Sequence, residues 1–185
     1  MTKNTKNIIE EIEIPNDVEL TINGPLISVK GQNGGLERRF SHPKIKIFKK
    51  DNKLILESIK KPSKKEKTII NTFKAHIKNM IIGVNKFYTN KLKICSSHFP
   101  VSVSIEGSEL IIKNFLGEKI PRRAKIVPNS KIEIKGEDIT ITSIDKELAG
   151  QTASNIEIAT KIRGRDRRVF GDGIFLTNKA GKPIK

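Results

Sequence analysis

Apolar and polar residues alternate in short runs along most of this chain. Each run reads as a strand with one buried face. The runs are Val18 to Ile22, Lys44 to Phe48 and Leu54 to Ser58, then Val101 to Ile105, Lys131 to Lys135 and Ile139 to Ser143. Asp51-Asn52 and Gly136-Glu137-Asp138 lie at joints that suit tight hairpin turns. Twice the period changes. Ile69, Phe73, Ile77, Met80 and Ile81 fall on one helical face between about Glu66 and Ile82. Leu148, Thr152, Ile156 (or Asn155), Ala159 and Ile162 do the same in the second half. Asp145 is placed as a helix N-cap, and Gly83 and Gly164 stand where the two helices should end. Each copy thus closes with a helix, after which an extended segment returns, Phe87 to Phe99 in the first copy and Val169 to Leu176 in the second. The tail from Thr177 to Lys185, with Gly181 and Pro183, shows no core pattern and is expected to be flexible or ordered only by a partner.

The runs are one pattern written twice. Val18-Glu-Leu-Thr-Ile-Asn-Gly24 matches Val101-Ser-Val-Ser-Ile-Glu-Gly107 at an offset of 83, which also aligns Val29-Lys30 with Ile112-Lys113 and Gly34 with Gly117. Arg38-Arg39 follows in one copy and Arg122-Arg123 in the other. Repeated strands followed by one helix predict an α+β fold of two tandem duplicated domains, each a β-sheet unit packed on a single α-helix. The expected domains are residues 1–84 and 85–185.

Charge then narrows the function. The 185 residues carry 36 Lys+Arg against 20 Asp+Glu, a net +16, which calls for a polyanionic partner. No apolar run approaches the roughly 20 residues that span a bilayer. Met1 to Pro15 lacks the apolar core of a signal peptide, so the chain reads as soluble and intracellular. Cys95 is the only cysteine, which excludes an intrachain disulfide and a Cys-based zinc site. With eight Phe, one Tyr and no Trp, the composition favours contact with folded nucleic acid through phosphates and shape.

Net charge does not choose between the halves, since residues 1–83 carry 17 Lys+Arg against 9 Asp+Glu and residues 84–185 carry 19 against 11. Residue type does. Six of the eight arginines lie in the second half, and guanidinium grips phosphate with a planar fork where Lys offers a point charge. The densest run is Lys161, Arg163, Arg165, Arg167 and Arg168, broken only by Asp166. It sits where a helix ends, among glycines, and the equivalent place in the first copy, Gly83 to Phe87, has one cation. Lys119, Arg122 and Arg123, from a hairpin of the same domain, extend the candidate patch. Gln151 and Asn155, one helical turn apart, are candidates for hydrogen bonds to sugar or phosphate or else are solvent-facing. Lys179 and Lys182 complete the candidate RNA-binding set. The lysines from Lys60 to Lys65 read as an exposed loop.

No catalytic constellation is present. His42, His76 and His98 are far apart in sequence, Cys95 reads as a buried apolar residue, and Asp145 and Asp172 have capping and turn roles. Neither GxxxxGK nor GxGxxG occurs. No enzyme, metal, cofactor or small-molecule substrate is expected. The remaining classes are a ribosomal component, a free-standing basic nucleic-acid-binding protein and a module for an acidic protein.

Gly117-Glu-Lys-Ile-Pro-Arg-Arg123, Asp145 to Ile156 and Arg167-Arg-Val-Phe-Gly-Asp-Gly-Ile174 resemble, in order, motifs of the large-subunit ribosomal protein family numbered six in the universal scheme and nine in eukaryotes. The resemblance covers nearly the whole chain, duplication included. RGRDRRVFGDGIF resembles the archaeal-type branch and departs from the bacterial Lys/Gly/Tyr-rich signature. The resemblance implies a structural constituent of the large ribosomal subunit, cytoplasmic and ribosome-associated. It implies binding to large-subunit ribosomal RNA mainly through the second domain, near the translation-factor-binding region, the sarcin–ricin loop and the stalk base. Neighbouring ribosomal proteins and passing translation factors are the other implied partners.

Overall fold

A computed structural model describes residues 7–59, 63–166 and 168–184. The chain divides into two compact units, the first ending at Lys86 and the second beginning at Phe87. The first holds β1 (Ile9–Glu13), β2 (Glu19–Asn23), β3 (Leu26–Gly31), β4 (Gly34–Arg39), β5 (Ile45–Lys50), β6 (Lys53–Ser58) and α1 (Lys64–Asn85). Its strands form two antiparallel sheets, ordered β1-β6-β5 and β2-β3-β4. The second holds β7 (Tyr88–Cys95), β8 (Ser102–Glu106), β9 (Glu109–Lys113), β10 (Arg122–Lys125), β11 (Ser130–Lys135), β12 (Asp138–Ser143), α2 (Lys146–Ala159), β13 (Gly173–Lys179) and β14 (Lys182–Pro183). Its sheets are β8-β9-β10 and β11-β12-β7-β13-β14. One helix packs on the sheets of each unit, as the doubled pattern predicts.

The α1 face is built from Ile70, Ile77, Met80, Ile81 and Val84, all buried, with half-buried Ile69 and Phe73 at its margin. Phe73 meets Phe40 edge to face at 5.2 Å. The helix starts at Lys64, two residues before the expected Glu66, because Ser63 caps it. Lys65 N–H donates to Ser63 Oγ at 3.3 Å, and Ser63 N–H to Glu66 Oε2 at 2.8 Å, a capping box. Lys44 adds a 2.8 Å hydrogen bond to Glu66. The Lys44 bond first, then those of Ser63, hold the Glu66 carboxyl down at about 2 against an ordinary 4.5. The folded state thus binds this proton more weakly than the unfolded one. The stabilisation is whole above pH 4.5 and fades as pH falls toward 2. Thermal unfolding of wild type and Glu66→Gln should differ near neutrality and converge across that acid window.

Gly83 does not end α1; the helix runs to Asn85, where Asn33 N–H donates to Val84 C=O at 2.9 Å. That closure depends on Gly31. A Cβ there would stand 2.8 Å from Val84 Cγ2 and from Asn85 Oδ1. Val84 is fully buried and has nowhere to move. Gly31→Ala should therefore lower unfolding free energy by about 1–3 kcal/mol, read as a lower denaturant midpoint at unchanged slope.

Two expectations are corrected. Phe87 to Phe99 is not part of the first copy: β7 lies between β12 and β13 in the second unit, on the side where the expected boundary after residue 84 puts it. Ile12 of β1 faces Leu54 as Leu92 of β7 faces Ile139, so β7 repeats β1. Tyr88, Asn90, Leu92 and Ile94 alternate along β7 and are all buried, the apolar three in one core with Ala149, Ala153 and Ile156 of the unit's helix. The tail likewise pairs instead of hanging free. Strand β13 reaches Lys179, and Ala180 and Gly181, both with left-handed backbones, turn the chain into β14. Ala180 N–H donates to the buried Asn90 Oδ1 at 2.7 Å, and Gly181 N–H to Thr89 C=O at 3.0 Å. Backbone pairing orders this segment, and backbone pairing leaves no hydrophobic period to read. Lys185 lies outside the described residues.

The second core gathers Leu92, Leu110, Ile112, Phe115, Ile139, Ile141, Ile156 and Ile174. From α2 it takes Ala149, Thr152, Ala153 and Ile156; Leu148 is half-buried, and Ile162 lies beyond the helix end. Asp145 caps α2 as expected, accepting from Glu147 N–H at 2.8 Å.

Candidate nucleic-acid interface

The cationic run leaves the end of α2 through a pinned joint. Thr160 is buried, and its Oγ1 accepts from Ile174 N–H at 3.0 Å, tying the helix end to the start of β13. Arg122 closes the joint from the hairpin side. It donates from Nη1 to Ala159 C=O at 2.9 Å and to Lys161 C=O at 3.3 Å, satisfying carbonyls that the helix end leaves free. Its other nitrogens hold Glu118 bidentately at 2.7 and 2.6 Å, and its guanidinium lies 4.3 Å over the Phe115 ring. Arg122 is thus engaged inside the unit, where it supports the cationic turn.

Beyond the joint, Gly164 adopts φ +70°, a left-handed backbone suited to glycine. Asp166 interrupts the positive charge for a structural reason. Its Oδ1 accepts from Arg168 N–H at 2.9 Å, and its carbonyl from Val169 and Phe170 N–H at 3.2 and 3.0 Å, forming a side-chain-capped turn. Lys161, Arg163, Arg165 and Arg168 are exposed. Lys161, Arg163 and Arg168 have no ion-pair partner among the described residues. Arg167 lies outside the described residues.

A stack of planar groups braces the turn. Arg165 sits 4.9 Å over the Phe170 ring. Phe170 stacks on His98 with centroids 4.9 Å apart, and His98 Nδ1 lies 2.5 Å from Asp172 Oδ2. Asp172 is buried, and its Oδ1 accepts from Ser97 N–H at 2.6 Å and His98 N–H at 3.1 Å. Burial pushes this carboxyl up, but the His98 ring bond, the two N–H bonds and the His98 charge together outweigh it and hold the carboxyl below its ordinary 3.8. Glu118 is held low chiefly by its Arg122 hydrogen bond; burial opposes this, and the charges of Arg122 and Arg165 add to the lowering. The Arg122 bond to Lys161 C=O makes the hairpin and the turn neighbours.

His98, Phe170 and Asp172 escaped sequence reading because His98 and Asp172 are 74 positions apart and no spacing rule links them. A buried role for an Asp beside two glycines at the start of an apolar strand was the available hint. Cys95, expected to be buried, is half-exposed.

The other candidates divide. Lys119 is exposed in the hairpin next to Arg122. Arg123 is exposed and 3.2 Å from Glu109; strand alternation turns it to the face opposite Arg122. Gln151 Nε2 donates to Asn155 Oδ1 at 2.9 Å, and Asn155 Nδ2 to Lys125 C=O at 2.9 Å. Asn155 therefore fastens α2 to β10. Lys179 and Lys182 face each other across the β13–β14 hairpin, about 20 Å along the strand from the turn.

No helix of the described residues is long and apolar enough to cross a membrane. Nor do the described residues contain a cluster of three or more His, Cys, Asp or Glu able to hold a metal ion.

The family model described as Ribosomal protein L6 matches residues 14–87 and again residues 99–173, once in each unit. A large ribosomal subunit protein uL6 from Methanobrevibacter smithii is 49% identical over 172 residues, covering 93% of this chain and 96% of its own. The protein of that name from Methanosphaera stadtmanae is 49% identical over 180 residues, 97% of each chain. That from Methanococcus vannielii is 43% identical over 177 residues, 96% of this chain and 97% of its own. With both repeats matched and relatives alike from end to end, the chain belongs to the ribosomal protein L6 family.

Proposed function

We propose that this protein binds large-subunit ribosomal RNA mainly through its second unit, with the turn from Lys161 to Arg168 as the principal contact, near the translation-factor-binding region. Family membership makes it a structural protein of the large ribosomal subunit, without catalytic activity. The observation that carries the RNA reading is the set of exposed cations Lys161, Arg163 and Arg168, without ion-pair partners among the described residues, on a turn held from three sides. Thr160 ties it to β13, Arg122 closes the helix end, and the Arg165–Phe170–His98–Asp172 stack braces its far side. A rigid frame under free guanidinium groups suits phosphate recognition, because the ordering cost of binding is met in folding. Lys119 and Arg123 extend the field from the hairpin. Gln151, Lys179 and Lys182 contribute at longer range, and neighbouring ribosomal proteins share the surroundings.

Density-gradient fractionation tests the assignment. The protein should sediment with the large subunit after a high-salt wash. Release into the top fractions would instead favour a free-standing basic nucleic-acid-binding protein.

A further inference from the structure

Beside the arginine turn, the end of α2 and the start of β13 enclose a groove of about 380 Å³ that phosphate contacts leave unexplained. It is lined by apolar Ile158, Ile162, Phe170 and Phe175, with Lys161 and Glu157. Ile158 and Phe175 remain 60% and 38% exposed. A second groove, lined by Lys161 and Arg163, shares Ile158 and Lys161 with it, so the apolar opening runs directly into the cationic one. We propose that this groove seats one unstacked nucleobase of the RNA bound by the turn, an inference that rests on the function proposed above.

The chemistry fits a nucleotide. A base presents two apolar faces, which the exposed Ile158 and Phe175 side chains receive, and unpaired bases of RNA are commonly taken up on aromatic rings. Lys161 and Arg163 stand where the adjoining phosphates would pass. Glu157 would repel a phosphate but accepts hydrogen bonds from the amino or imino N–H groups of a base edge. The volume lies at the low end of small-ligand sites, right for one base and too small for a helix.

Gly171 gives a clean test. It lines the groove, has no left-handed backbone, and a Cβ there meets nothing within 4 Å, so Gly171→Leu should fold normally while obstructing the seat. Ile158→Ala removes exposed apolar surface only. The full chain and both variants would be titrated with large-subunit ribosomal RNA from Methanobrevibacter smithii at several salt concentrations, with base-specific chemical probing of the complexes. Each variant should bind about tenfold more weakly at an unchanged salt slope, because base contacts release no counterions. One base protected by wild type should become reactive with Gly171→Leu. Wild-type affinity in both variants, or base protections identical to wild type, would overturn the seat, as would lost binding to a ribosomal protein with RNA binding intact. Failure of the underlying RNA reading shows separately, as an unchanged slope when the arginines are removed.

Discussion

Replacing Arg163, Arg165 and Arg168 together with alanine should lower the salt dependence of RNA binding by about 2 to 3 in slope, at roughly 0.7 to 0.9 per phosphate contact. At about 0.1 M salt the same relation predicts affinity weaker by about a hundredfold to several hundredfold. The three side chains are exposed and lie outside the core of the second unit, so stability should change little. Arg165 has a second role through its contact with Phe170. Arg165→Lys, which keeps the charge and loses the planar stack, should therefore recover most of the slope but only part of the affinity. Arg122→Ala should behave differently, destabilising the second unit as well, because it removes the partner of the Ala159 and Lys161 carbonyls and of Glu118.

Asp172→Ala should have the largest effect on stability, about 2–3 kcal/mol, because it leaves the Ser97 and His98 N–H groups without their shared acceptor. Tyr88 is the only tyrosine, there is no tryptophan, and Tyr88 is buried in this unit, so tyrosine fluorescence reports the loss directly. RNA affinity should fall too, since the stack under Arg165 rests on this carboxylate. The pH dependence follows from the lowered Asp172 value. The folded state binds the proton more weakly, so the contribution is full above the ordinary 3.8 and is lost as pH falls through the lower folded value. Wild type should therefore lose its advantage over Asp172→Asn in acid and keep it at neutrality.

Much of this was legible before any coordinates. Alternation located β2, β5, β6, β8, β11 and β12 and passed over β1, β4, β10 and β14, the change of period located both helices, and Asp145 was identifiable as a cap from its residue type and position. The capping box was missed, although Ser63 and Glu66 stand three apart ahead of an apolar helix. What alternation cannot say is which strand lies beside which. It gives each strand two faces and no neighbours, so β7 was assigned to the wrong copy and the β13–β14 hairpin was read as a tail. Charge counting had a parallel limit. It treated Arg122 and Arg163 alike, though one is enclosed by carbonyls, a carboxylate and a ring while the other is open to solvent. Gly31 was invisible for a related reason, because its role depends on Val84, which only the fold brings close.

Nucleotide-resolution crosslinking of the full-length protein within assembled large subunits tests the central claim most directly. Crosslinks from the segment Lys161 to Arg168 to large-subunit ribosomal RNA are the predicted result. RNA crosslinks confined to residues 1–86, with none from that segment, would contradict it.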